Sequence, residues 1–371
     1  MIRLLAIVPS IPDRSPGQRY RLEQWEPHLR KLGVEIRFEP FESPELNALL
    51  YQPGQIARKI GLIAESFAQR VRLLKSIREY DVVYIFREAA VLGPAILERR
   101  IPHLGVPIVF DFDDAIFVRY ISPSNGLLSL LKCAGKTRTL CRIATRVMAG
   151  NRYLADYAAR VNPNVTIVPT TIDTDKYTLE PRQTAGSQPV LGWTGSYSTV
   201  QHLDALKDLL RKMAKKENFR LRVIGLADYR IDGVQTEAIA WRSASEVDDL
   251  RPVDIGIMPL PDNRWTRGKC ACKALQYMGL GIPTVCSPVG ANTEIIRDGV
   301  NGFLADDEDQ WVEKLTLLLR SPELRNRIGL AGRATVESGF SALVQAPRVY
   351  EILCGVMASG LRRECGPLNK S

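Results

Sequence analysis

Long apolar runs are missing from this chain. No stretch of about 20 uncharged hydrophobic residues occurs in its 371 residues, so no transmembrane helix is expected. The opening "MIRLLAIVPSIP" is too short in its apolar part for a secretory leader and reads as a first β-strand. Histidine is scarce: His28, His103 and His202 are the three, none has a partner pattern, and each reads as structural or exposed. No G-x-S-x-G occurs, which removes support for a Ser-His-Asp hydrolase. No G-x-x-x-x-G-K-[ST] occurs, which excludes a P-loop. The seven cysteines are odd in number and scattered, so a disulfide framework is not expected and a reducing cytoplasm is. Cys270-x-Cys272 has no second pair, so no metal site is read there.

What the chain does have is positive charge. The net charge is +9, which favours an anionic partner: nucleic acid, a phosphorylated metabolite or an anionic membrane surface. Aromatics are not interleaved with the basic runs, which argues against nucleic acid. Two basic amphipathic stretches stand out. Ile56–Arg78 carries Arg58, Lys59, Arg70, Arg72, Lys75 and Arg78, and Leu127–Arg146 carries Lys132, Lys136, Arg138, Arg142 and Arg146. They read equally as core helices with a solvated face or as a peripheral contact with an anionic membrane.

The length exceeds one ordinary core and predicts two domains. Strand-like runs at Ile2–Val8, Val34–Phe38, Val82–Phe86, Pro107–Phe112, Val147–Ala149 and Val165–Val168 alternate with helical patterns such as Tyr20–Leu32 and Ile56–Ile77. A Pro/Gly/Ser/Thr-rich break at Thr178–Pro189 follows. The alternation then restarts with Val190–Trp193, Phe219–Ile224, Glu237–Ala240, Asp254–Met258 and Pro283–Cys286, and a last helix covers Ala342–Met357. The fold class is α/β: two Rossmann-like doubly wound domains. Residues 1–180 make the first, 189–340 the second, and 341–371 a C-terminal helix and tail. Ligands in such sheets bind at the carboxyl ends of strands.

Three stretches lie where those ends should be. "VLGWTGSYS" (Val190–Ser198) is a strand running into Gly195 and Ser196, either a phosphate-binding turn or a capped strand–helix turn. "RWTRGKCACKALQYMGLGIP" (Arg264–Pro283) gathers Arg264, Arg267, Gly268, Lys269, Cys270 and Lys273 around a helix expected to open near Lys269 or Cys270. On such a helix the two lysines share a face. Cations in a first turn oppose the macrodipole, so an anion is expected to offset them; a solvated basic face is the plainer alternative. Gln276, one turn on, could bond sugar hydroxyls. "VFDFDDAIF" (Val109–Phe117) ends a strand in three carboxylates, Asp111, Asp113 and Asp114. Their D-x-D spacing suggests Mg²⁺ or Mn²⁺, but metal is not the favoured reading. Arg19 and Arg21 follow the first strand, and Arg87 ends another.

These pieces resemble retaining glycosyltransferases of family four, which have the GT-B fold. "KALQYMGLGIPTV" (Lys273–Val285) is similar to K-x-x-E-Y-(L/M)-A-x-G-x-P-V-V, and "SPVGANTEIIRDGVNGFL" (Ser287–Leu304) to S-x-V-G-G-x-x-E-I-I-x-D-G-x-N-G-F-L. Met148–Tyr177, "RLRVIG" (Arg220–Gly225) and "YSTVQHLDALKDLL" also match family segments, in order. Two departures are clear. The family's glutamate pair falls on Gly268 and Gln276, and its diphosphate Arg and Lys fall near Ser196 and Gln201. A subgroup with W-x-x-G-K-C-x-x-K-x-L-Q-Y-M resembles this arrangement.

The resemblance implies transfer of a sugar, with retention, from a UDP- or GDP-hexose to a glycan or lipid-linked acceptor, without a cofactor or metal. It implies a setting in bacterial surface polysaccharide or glycolipid assembly, in the cytoplasm or at the inner face of the membrane. Asp113, Lys269 and Lys273 are then the candidate catalytic residues. Gly195, Ser196, Gly225, Arg264, Arg267, Gly268, Cys270 and Gln276 are the donor-binding candidates, and Arg19, Arg21 and Arg87 the acceptor-binding ones. A nucleotide-sugar epimerase on the same fold, or a non-catalytic sugar- or nucleic-acid-binding protein, is the alternative.

Overall fold

A computed structural model of the chain describes residues 1–50, 54–118, 133–180 and 188–364. Lys132, Cys365, residues 127–132 of the second basic stretch and residues 181–187 of the expected linker lie outside the described residues.

The chain divides into two units, each built on a six-stranded parallel sheet. In the first, β1 (Ile2–Val8), β2 (Val34–Pro40), β3 (Val82–Phe86), β4 (Ile108–Phe112), β5 (Arg146–Ala149) and β6 (Val165–Ile167) lie in the order β2-β1-β3-β4-β5-β6. The central strands β3 and β4 are buried along their whole length. That is why they read as unbroken apolar runs: helices cover both faces of a parallel sheet. Edge strand β2 instead alternates, with Glu35 and Arg37 among its polar positions.

In the second unit, β7 (Val190–Thr194), β8 (Arg220–Ile224), β9 (Thr236–Ile239), β10 (Ile255–Met258), β11 (Thr284–Cys286) and β12 (Phe303–Leu304) lie in the order β12-β11-β10-β7-β8-β9. Leu191, Trp193, Leu221, Val223, Ile255, Ile257 and Val285 form the middle of its core. The two-residue β12 is not legible in the sequence, because a strand that short carries no periodicity.

The division between units falls at Thr170/Thr171, ahead of the expected linker. Residues 171–180 are packed into the second unit. Ile172 donates its N–H to Phe340 C=O at 2.8 Å and accepts from Ala342 N–H at 3.0 Å. Arg333 donates to the carbonyls of Tyr177 and Gly279. The last helix runs Ala342–Glu364, and from Gln345 onward it groups with the first unit. Among the described residues no helix is long and apolar enough to cross a membrane.

Candidate functional site

The strand order of the second sheet reverses between β7 and β10, so the loops after these two strands diverge from a single crevice position. After β7, Gly195 donates its N–H to Ile224 C=O at 2.9 Å. Gly225, after β8, takes φ +119°, and a Cβ there would lie 1.8 Å from Gly195 O. Only glycine allows the two turn backbones to meet in this way. Ser196 is exposed, with its N–H on Thr199 Oγ1 at 3.0 Å and its hydroxyl 2.9 Å from that of Ser198.

The loop after β10 is fixed by its own polar groups. Asn263 Oδ1 accepts from the N–H of Trp265 (2.9 Å) and of Thr266 (3.0 Å), and the buried Thr266 hydroxyl donates to Pro261 C=O. A short 3₁₀ turn at Thr266–Gly268 precedes Lys269. Ala271 is left-handed (φ +54°), and the α-helix opens only at Cys272, running to Gly279. The expected start at Lys269 or Cys270 is therefore corrected. The two lysines do not share a helical turn: Lys269 precedes the helix and Lys273 lies in its first turn. Tertiary structure brings them to one place instead. Lys269 Nζ sits 3.7 Å from the centroid of the Trp265 ring, and Lys273 Nζ 5.6 Å from that of Trp193. Each indole face attracts its ammonium by about 0.5–2 kcal/mol. Tyr277 locks the helix to β7 by accepting the Thr194 N–H at 3.0 Å, its ring lying over Gly256, where a Cβ would come within 2.3 Å.

A residue that reads as structural in the sequence completes this cluster. His202, on the short helix Val200–Asp204, is buried, and its ring centroid lies 5.9 Å from that of Trp265. Burial, then the charges of Lys273 and Lys269, lowers its pKa from 6.5 to about 4. The folded state thus holds His202 neutral, while the unfolded chain protonates it near pH 6.5. Stability should therefore fall as pH drops from about 6.5 towards 4 and be unaffected by this group above that window. Urea midpoints measured at pH 7 and pH 5 check this: His202→Gln should lose less stability between the two than the parent does.

The other donor-side candidates separate. Gly268 is buried, and Cys270 is buried with its Sγ 3.7 Å from Gly268 O. Arg264 is exposed. Arg267 is exposed and forms a bidentate pair with Asp262 at 2.6 and 2.8 Å. Gln276 is only 4% exposed, and its Nε2 donates to Tyr177 O–H (3.1 Å) and Glu246 Oε1 (3.3 Å). Its amide nitrogen is engaged inside the unit, where the one-turn spacing from Lys273 suggests a surface position.

In the first unit, Asp113 is buried and accepts from Arg87 Nε at 2.6 Å. Arg87 adopts the left-handed conformation (φ +57°), and a Cβ on Gly17 would lie 2.4 Å from both partners of the pair. The loop after β1 and the ends of β3 and β4 therefore meet at Arg87–Asp113. Arg19 is nearly buried and pairs with Asp13 at 2.9 Å. Arg21 is a correction: it has no exposed surface. It grips Asp111 through Nε (2.7 Å) and Nη2 (2.6 Å) and donates to Val168 C=O at 2.7 Å, so it is a core ion pair and not an acceptor contact. The three carboxylates of the D-x-D stretch are engaged separately. Asp111 is held by Arg21 and Tyr84, Asp113 by Arg87, and Asp114 accepts the Ala115 N–H at 2.9 Å.

The basic stretches also lose members to the core. Arg70 is 3% exposed and donates to the carbonyls of Ala89, Val8 and Glu39, with burial pushing its pKa down to about 10. Lys136 is buried beside Glu98 at 3.1 Å. Arg58, Arg72, Lys75, Arg138 and Arg142 remain on the surface.

Residues 188–321 match the family model described as group 1 glycosyl transferases. The spore coat protein SA of Bacillus subtilis is 38% identical over 68 residues, 18% of this chain and 18% of that protein. The match therefore spans about a fifth of the curated relative. Among solved structures, Anabaena HepE in complex with UDP and glucose superposes with a TM-score of 0.69 at 15% identity, over 96% of this chain and 100% of that one. Sucrose-phosphate synthase of Thermosynechococcus elongatus gives 0.69 at 13% identity over the same shares. A glycosyltransferase from Rickettsia africae gives 0.67 at 14%, over 96% and 98%. At these identities the likeness establishes the fold, which is GT-B. Residues 188–321 thus resemble a group 1 glycosyl transferase domain, and they lie within a chain of GT-B fold.

Proposed function

We propose that the protein transfers a hexose, with retention, from a nucleoside diphosphate sugar to a glycan or lipid-linked acceptor. The observation that carries this reading is the Lys269–Lys273 cluster beside the β7/β10 switch point, with Gly195 and Gly225 clearing the backbone around it. A matched domain of the group 1 class and a structural relative crystallised with UDP and glucose support it.

The chemistry follows from charge. As the glycosidic bond to phosphate breaks, negative charge accumulates on the diphosphate oxygens. Ammonium groups already in place stabilise that charge without reorganising, which is usually the largest catalytic contribution. Lys273 and Lys269 have this role, with the indole rings of Trp193 and Trp265 holding them in position. Arg264, Ser196 and the backbone of Gly268 bind the donor alongside them. No protein nucleophile is assigned: the leaving phosphate oxygen takes the proton of the acceptor hydroxyl. In the first unit, the Arg87–Asp113 pair and Arg19 serve the acceptor side, Asp113 contacting the transferred sugar. Metal is not required, and the setting is assembly of bacterial surface polysaccharide or glycolipid. The exposed Arg58 and Arg72 of the Ile56–Leu73 helix and Arg138 and Arg142 of the Gly135–Ile143 helix would draw the enzyme to an anionic inner membrane face.

The test pairs binding with turnover. UDP, GDP and ADP are screened for a rise in melting temperature, since a ligand at a hundredfold its Kd stabilises by about 2.7 kcal/mol. UDP- and GDP-hexoses are then assayed for nucleotide release with EDTA present. One nucleoside diphosphate should stabilise the protein, and its sugar should turn over in EDTA with the anomeric configuration kept. Inversion at the anomeric carbon rejects retention, and loss of turnover in EDTA rejects metal independence. Epimerised sugar still attached to nucleotide would assign an epimerase, and binding without turnover a sensor.

A further inference from the structure

We propose that His202 is a third donor to the anion at the lysine cluster, its Nε2 N–H hydrogen-bonding a phosphate oxygen of the donor; this rests on the donor-site reading above. His202 Nε2 is buried and has no hydrogen-bond partner among the described residues. An unmet buried polar group costs about 1–3 kcal/mol, and native structures rarely carry one without a reason. The position of the ring supplies that reason. Its neighbour Trp265 carries Lys269 Nζ on its ring, and the charges of both lysines reach the imidazole. An anion between the ammonium groups therefore comes within reach of a donor that the protein leaves unused.

Chain geometry fits the same role. His202 lies in the short helix Val200–Asp204 that follows the turn after β7. Its backbone N–H is fixed on Thr199 C=O at 3.0 Å, and Thr199 in turn holds Ser196. The turn after β7 therefore orients the ring. Nε2 is buried in the free protein, so a phosphate oxygen reaches it only as side chains around the ring adjust to the bound donor.

The three histidines make the test direct. Imidazole nitrogen resonances of uniformly labelled protein are recorded during titration with UDP, GDP, ADP, uridine and inorganic pyrophosphate, with His28→Gln and His103→Gln providing the assignment. The His202 Nε2 resonance should move with the binding diphosphate and with pyrophosphate, and stay in place with uridine. In parallel, His202→Phe keeps the ring and removes the N–H. It should weaken binding of the diphosphate about tenfold to a hundredfold, the range for a hydrogen bond to a charged group, and leave uridine binding unchanged. His202→Gln should recover part of the loss. A nucleoside diphosphate that binds the parent tightly with the His202 signals unmoved, or binds His202→Phe equally well, overturns this inference and leaves the donor reading intact. If none of the three diphosphates nor pyrophosphate binds the parent, both fail together.

Discussion

Lys273→Met should lower donor turnover by about 10²–10³-fold, read as nucleotide release from the sugar donor, with little change in the unfolding midpoint. The magnitude is that of removing one preorganised group from the site of developing charge. Methionine is chosen because it keeps an unbranched stem of similar reach over the Trp193 ring, where Lys273 Nζ lies 5.6 Å from the centroid. Packing is then nearly conserved and the charge alone is lost. Lys273→Arg should retain part of the rate, since the charge persists while the planar fork fits the space less well. Because the ammonium acts on charge that grows as the bond breaks, the loss should fall on kcat more than on KM. Lys269→Met should cost less, since part of the attraction on Lys269 is already met by Trp265 at 3.7 Å. The double variant should lose less than the sum, because the lysines serve one anion. Full turnover in Lys273→Met would remove the charge role and with it the proposed mechanism.

The strands are legible in the sequence because parallel strands are short apolar blocks and helices separate them. Val82–Phe86 and Ile2–Val8 read to the residue. The two lysines are legible as a cationic pair, but not how they come together. An αL residue at Ala271 has no signature in a run of small and polar residues, so the sequence pattern starts the helix three residues early at Lys269 or two at Cys270. The platform beneath the lysines is less visible still. Trp193 reads as a strand core residue, and its ring meets Lys273 only because β7 and the Cys272–Gly279 helix are neighbours in space. His202 sits beside Gln201, where the resemblance calls for a basic residue and none stands, and that vacancy is the signal the sequence offers. A lone histidine on a short helix is more often structural, which masks it.

Polar residues in the core are the commonest source of misreading. Gln276, Arg70, Lys136 and Arg21 look in the sequence like members of a basic or sugar-binding surface, yet each is under 10% exposed. Their partners lie far away along the chain: Glu246 for Gln276, the carbonyls of Val8 and Glu39 for Arg70, Glu98 for Lys136, Asp111 for Arg21. Charge counts along a helix cannot show such pairings. Each one turns an apparent surface group into a fastening of the scaffold.

Arg21→Met should destabilise the protein by about 3–5 kcal/mol, a larger stability change than any expected at Lys269, Lys273 or His202. The guanidinium has no exposed surface and grips Asp111 in a bidentate pair, stacks 4.9 Å from the Trp25 ring and closes on Val168 C=O. Burial alone would lower its pKa, but the Asp111 carboxylate outweighs this and holds it above its ordinary value, so the charge persists throughout the working pH range. Methionine fills similar space and leaves Asp111 as a buried carboxylate without its counter-ion, with the Tyr84 hydroxyl still bonded to it. Two further outcomes separate this from simple loss of packing. First, the variant's deficit should shrink as pH falls. Burial already raises the Asp111 pKa, and removing Arg21 raises it further, so protonation of the folded state relieves the unpaired charge, whereas at high pH that charge must be kept in the core. Second, Arg21→Met combined with Asp111→Leu should recover most of the loss, because a well-packed apolar pair replaces a buried ion pair at little cost. Denaturant unfolding at pH 5 and pH 8 measures both. A loss below about 1 kcal/mol, accompanied by weakened acceptor use at unchanged stability, would return Arg21 to the acceptor site.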